Sequence, residues 1–294
     1  MSAPSPGFAR PPEGVQENLG AARRFLETTP STALHLVPSR WVRRFILWGE
    51  AWWVVVHFGA QMLVVVLTPS SYRRSQRRVI YQHMHAATAP VLPAFVVITA
   101  LVSVVIIRIV VATASSYGLS QYALDVLVRT LVIELLPLLV ALYVAVRYTM
   151  PEGEKVTELR AQGKLIAQWR SGGDPARDAL MPRVLAGVFA VALLAALSCL
   201  LALVLTYLTV YGFTSWGLVS YTRSVGQVFN PAVTLIFALK ALFFSLAVAI
   251  LPMAPVPRHR SGPTGRRLDN VEQLGRLFAV LLVVEVVSLV GNYY

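Results

Sequence analysis

Residues 131–147 read LVIELLPLLVALYVAVR and, after a polar run to Gly173, residues 174–187 read DPARDALMPRVLAG. The first stretch ends an apolar run from about Tyr122 to Arg147, long enough to cross a bilayer as a helix. It carries Glu134 and Pro137 inside that run. In hydrocarbon an ionisable side chain is expensive, and a proline strips one backbone hydrogen bond, so both residues ask for a reason. Pro137 predicts a helix kink, with Glu134 either paired inside a bundle or lining a polar path.

Composition widens this reading from one helix to the whole chain. Of 294 residues 56% are hydrophobic, beyond what a soluble core uses, and several runs reach the length of a span. The net charge of +12 could suggest nucleic acid. The basic residues flank apolar runs, however, and form no patch interleaved with stacking aromatics, so a membrane explains them and no nucleic-acid partner is expected. The one cysteine, Cys199, lies in an apolar run and reads as a packing residue.

Outward from the central stretch, the spans read as about Pro90–Thr113, Tyr122–Arg147, Pro182–Tyr211, Val228–Leu251 and Val271–Asn292. Segments 68–89, 147–183 and 253–276 hold four, seven and five Lys or Arg, whereas 113–123, 212–228 and 291–294 hold none, one and none. This alternation fits five spans, with the N-terminus cytoplasmic and the C-terminus outside. Residues 1–40 lack an apolar run and read as a mobile cytoplasmic arm, with a possible short helix at Val15–Leu26 and no cleavable signal peptide. In 41–89 an apolar helix to Leu67 carries Arg43, Glu50, His57 and Gln61 on one stripe and Trp41, Trp48, Trp52 and Trp53 beside them. That pattern suits an interfacial helix, followed by a basic connector. The alternative is a tilted spanning helix whose polar stripe faces protein. Residues 90–294 then form one domain of spanning helices. The expected fold is therefore all-α and integral to the membrane: an interfacial elbow helix followed by five transmembrane helices. In the connector 252–270, prolines and arginines exclude a continuous helix, and anionic headgroups are its expected neighbours.

The spacing Glu134-Leu-x-Pro137, Ala141-Leu142, Ala145-x-Arg147, then Asp174-Pro175-x-Arg177 and Pro182-Arg183-Val184-Leu185-Ala186, resembles the MlaE family of ABC-transporter permeases. The family usually has Gly where Leu136 and Val146 stand, and its cytoplasmic signature survives only as an echo at Lys155-Val156-Thr157-Glu158. The resemblance implies a multi-pass subunit in the bacterial inner membrane that moves phospholipid or another lipid between that membrane and the envelope. Its implied partners are an ABC ATPase, a periplasmic MCE-domain protein and a second permease subunit, identical or not. The ATPase contact is expected within Glu152–Asp178, on a short helix started by Pro151 and Gly153 and ended by Gly172 and Gly173. Lys155, Val156, Glu158, Leu159, Ile166, Asp174, Arg177 and Arg183 are its candidate residues.

Chemistry of other kinds finds few residues. There is no G-x-x-x-x-G-K-[ST] loop, so ATP would bind a partner chain, and no cofactor is expected in this one. No G-x-S-x-G elbow or H-E-x-x-H pair occurs, and His83-x-His85 lacks a third ligand, so no catalytic or metal site is expected. The alternatives are an ion-coupled secondary transporter using Glu134 and Glu285 or, further off, a membrane-embedded lipid-modifying enzyme. Counted at 1.5 Å per residue from the outer ends of their spans, Glu134 and Lys240 both lie about 18 Å deep. Opposite charges at one depth can satisfy each other, and Arg108 with Glu285 makes a second candidate pair in the outer third.

Overall fold

The computed structural model describes residues 40–68, 74–255 and 263–293. The N-terminal arm with Val15–Leu26 and the middle of the proline-rich connector lie outside these. The chain divides into two units, Met1–Trp52 and Trp53–Tyr294. In the first, the described residues Arg40–Trp52 are the opening half of helix α1 (Arg40–Leu67).

The second unit begins with the apolar remainder of α1 and continues through α2 (Arg74–Thr88), α3 (Leu92–Ser116), α4 (Ala123–Ala161), α5 (Lys164–Arg170) and α6 (Ala176–Tyr211). It ends with α7 (Leu218–Val228), α8 (Pro231–Ile250) and α9 (Pro263–Tyr293). Short 3₁₀ turns occupy Ser120–Tyr122 and Leu251–Met253, and there is no strand among the described residues. Five stretches are long and apolar enough to cross a membrane, Gln76–Ser116 (α2 with α3), Ala123–Ala161 (α4), Ala176–Tyr211 (α6), Pro231–Met253 (α8 and the turn that closes it) and Asp269–Asn292 (in α9), and Trp52–Leu67 is a shorter apolar helix. The protein is an all-α, multi-pass membrane protein. Helix α8 opens a little later than the expected Val228, because the Asn230 side chain accepts from Val233 N at 2.8 Å and Pro231 occupies the first turn, a strong pair of start signals.

Helix α6 is the centre of the packing: α2, α3, α4 and α8 all lie against it, and α9 lies against α8. One core joins Phe95, Val140, Leu194, Phe244 and Leu277 from five helices. A second, toward the α7 end, holds Ile107, Leu131, Ile133 and Ala202. There Tyr221 packs edge-on against Tyr207 and donates to Leu203 O at 2.8 Å. The third core lies at the opposite, connector end and gathers Phe58, Met62, Val156, Val184 and Met253. Gly187 lets α4, α6 and α8 converge, since a Cβ there would meet Thr149 Cγ2 at 3.1 Å and Ala249 Cβ at 3.2 Å.

Prolines shape the two helices of the central stretch without breaking them. Three π-helical segments, Val128–Leu135, Ala145–Thr149 and Ala176–Leu180, each end two residues before a proline: Pro137, Pro151 and Pro182. A proline has no N–H and its ring crowds the carbonyl four residues back, and a locally widened helix relieves both. Pro137 thus acts through a π segment inside a continuous helix. Pro151 and Gly153, read from sequence as the start of a separate helix, lie within α4, which runs on to Ala161.

Candidate functional site

The polar centre of the membrane layer grows out of the first of those segments. With Pro137 unable to donate, the carbonyl of Ile133 is left without its usual helical partner. Lys240 of α8 fills that gap, donating to Ile133 O at 3.2 Å. The same ammonium also donates to Glu134 Oε2 of α4 and to Glu285 Oε1 of α9, the latter at 2.9 Å. All three N–H groups of a fully buried lysine are thereby used. Asn292, seven residues on from Glu285, donates to Glu134 Oε1 at 3.4 Å. Nearby carbonyls are loosened too: Cys199 Sγ lies 3.7 Å from Val132 O.

The structure therefore brings Glu134 and Lys240 together and adds Glu285 to them. The expected pairing of Glu285 with Arg108 does not occur: Arg108 is exposed on α3, and α9 packs against α8. Depth assigns a level to a residue but not its neighbour around the bundle, and that is why the count misassigned this pair. Asn292 carried no sequence signal beyond its helical spacing from Glu285.

At the connector end a second cluster ties the helices where they leave the apolar layer. Glu152, buried near the end of α4, accepts from Arg183 Nε of α6 at 2.8 Å and from Lys155 Nζ at 2.7 Å. Arg183 also donates to Ala179 O. Further along α4, Arg160 Nη2 donates to Met253 O at 2.8 Å, in the 3₁₀ turn that closes α8. Gln273 of α9 donates to Pro252 O at 3.0 Å and Leu251 O at 3.3 Å in the same turn, and Asn270 donates to Glu154. Gly153 packs so tightly under this turn that any Cβ would fall inside the Pro252 carbonyl. Helices α4, α6, α8 and α9 are thus clamped at one level.

Beyond the clamp, α5 projects between two left-handed glycines, Gly163 and Gly172, and buries none of its residues. Ile166 is 57% exposed and Trp169 73%. Glu158 is exposed and Leu159 half-buried. Asp174 caps the opening of α6, accepting from Ala176 N at 3.1 Å and pairing with Arg177 at 3.3 Å. Two of the residues expected at the surface of this segment are internal. Val156 is fully buried against Phe58 and Met253, because α4 continues as a helix and turns that position inward, and Arg183 is held by Glu152. Trp169 is absent from the sequence reading, although an apolar aromatic in a polar connector is a readable signal; Glu152 enters that reading only as the first residue of the expected ATPase-contact segment, and Gly153 only as a helix start.

Compared with known proteins, residues 80–290 match the model of the family described as Permease MlaE. The curated proteins offer no match to the chain.

Proposed function

Because the chain belongs to the MlaE permease family, we propose that it is the membrane subunit of an ABC-type transporter moving phospholipid or another lipid between the inner membrane and the cell envelope. ATP is bound and hydrolysed by a separate chain. A second permease subunit and a periplasmic MCE-domain protein complete the assembly. The N-terminus and the connector 147–183 face the cytoplasm, where that ATPase can reach them.

The observation that carries this reading is the connector itself. A short helix with Ile166 and Trp169 exposed offers a soluble partner an apolar handle, and everything around that handle is tied to the spanning helices. A displacement of α5 pulls on α4 and α6 together through Glu152 and Arg183, and on α8 through Arg160 and the Leu251–Met253 turn. Lys240 lies on α8 about 17 Å from that turn, at 1.5 Å per residue. Motion at the connector thus reaches the helix that holds the polar centre, and lipid moves as the helices rock.

Purification of the tagged full-length chain from native membranes, with identification of the bound proteins and lipids, tests the proposal. An ATPase with a P-loop and a lipid should copurify; a preparation with neither would reject it. A second reading, ion-coupled transport without ATP, draws on the buried Glu134–Lys240–Glu285 centre, since ionisable groups at that depth also serve proton and ion relays.

A further inference from the structure

The amphipathic helix α2 belongs neither to the polar centre nor to the clamp, yet it carries an uncompensated charge in a defined place. Its inner face is packed: Ile80, Ala87 and Thr88 are buried, and Ala87 joins Ala186 and Ala190 of α6 in the core. Gln76 Nε2 donates to Asp178 Oδ1 at 2.5 Å. These contacts set the start of α2 level with the opening of α6, where Pro182 begins the apolar run. The chain then passes from α2 into the spanning helix α3 through a single turn, closed by Ala89 N to His85 O at 2.9 Å and Val91 N to Thr88 O at 3.2 Å. The end of α2 that carries Arg77 and Arg78 therefore lies beside the opening of α6, next to the start of the apolar run, where lipid headgroups are expected.

That outer face presents Arg77, Arg78, Tyr81, Gln82 and His85, which line one shallow concavity. Their spacing of one, three, one and three residues keeps all five on one side of the helix. Arg74–Thr88 contains no acidic residue, and neither arginine is paired with an acid among the described residues. Guanidinium forks match phosphate oxygens two at a time, an amide and a phenol add neutral donors, and the aromatic ring of Tyr81 suits the apolar boundary below the phosphates.

We infer that this face of α2 is a docking site for the headgroup of an anionic phospholipid of the membrane the protein itself spans, with Arg77 and Arg78 as the phosphate-binding pair. The site lies on the outside of α2, so the bound lipid is a fixed neighbour that anchors the helix. It is independent of which lipid is transported and of what drives transport. A soluble phosphate shares the chemistry, but the depth of the face and its continuity with α3 favour the lipid.

The test places a bimane reporter at Ala86→Cys, exposed one turn from Gln82, in the full-length Cys199→Ser chain reconstituted in phosphatidylcholine nanodiscs. Quenching by brominated phosphatidylglycerol is compared with quenching by equimolar brominated phosphatidylcholine. The site predicts at least about threefold stronger quenching by the anionic lipid, falling as KCl is raised from about 50 to about 500 mM, since each basic side chain near a surface favours anionic lipid and salt screens that attraction. In Arg77→Gln/Arg78→Gln the two lipids should quench equally. Equal quenching in the parent chain, an undiminished preference in the double variant, or a preference indifferent to salt would each overturn the inference. So would loss of the preference on adding inorganic phosphate at constant ionic strength, which would assign the site to the soluble ion. The salt series uses the parent chain alone and decides the matter even if the double variant does not insert.

Discussion

At Lys240 one cation faces two carboxylates, Glu134 and Glu285, in the apolar layer; at Glu152 one carboxylate faces two cations, Lys155 and Arg183, where the helices leave that layer. The same kinds of charge meet in both places, and the ratios are reversed. The difference lies in what water can do. The Lys240 side chain is fully buried and has spent every donor on protein, so a lost partner leaves a buried N–H that water cannot reach, and loss of the lysine itself leaves two carboxylates without a counter-charge. The Lys155 side chain is 63% exposed, and water can replace it; Arg183 is mostly covered and bridges two helices. The inner cluster therefore holds three helices at one register, whereas the outer one is a joint with one firm and one loose partner.

The sharpest way to break this contrast is Lys240→Ala, which leaves two carboxylates facing each other in the bundle. It should destabilise the detergent-solubilised protein by about 3–5 kcal/mol in reversible unfolding. The exchange Glu134→Lys with Lys240→Glu should recover only part of that, because the new Glu at 240 meets Glu285; adding Glu285→Gln should recover more. No gain from the third substitution would mean that Glu285 is not part of the cluster.

Next in size is Gly153→Ala. The added methyl collides with backbone at Pro252, so α4 and the α8 turn must separate, at a loss of about 1–3 kcal/mol in the same assay. Wild-type stability would show that the clamp is slack. Smaller again is the comparison within the outer cluster. Arg183→Gln should lose about 1–2 kcal/mol, as a half-buried charged hydrogen bond is given up, while Lys155→Gln should stay within about 0.5 kcal/mol. Equal losses would erase the distinction between firm and loose partners.

How much of this is legible in the sequence depends on what each feature needs. Spans need only length and hydropathy, and the level of Glu134 and Lys240 needs only the rise per residue, so both could be counted along the chain. The Arg108–Glu285 pairing failed because it required knowing that α9 lies against α8 while α3 lies against α6, a matter of packing between helices remote in sequence. Pro151 and Gly153 resemble a helix start, and a helix begun there would leave Val156 at the surface. A π segment before Pro151 keeps α4 continuous instead, and helical phase then carries Val156 into the core. The same proline logic, applied to Pro137, would have pointed to a free carbonyl at Ile133 and to a donor seeking it.

The most direct test of the proposed permease function uses proteoliposomes containing the chain together with the ATPase that the proposal expects to copurify with it, with a fluorescent phospholipid and a control for the proton gradient. An ATP-driven permease moves lipid only with ATP and is indifferent to dissipation of the gradient. Movement should be lost in Ile166→Asp/Trp169→Asp, which remains inserted with wild-type stability because both side chains face outward. Lipid movement by the chain alone, driven by a proton gradient without ATP and unaltered in that variant, would contradict it.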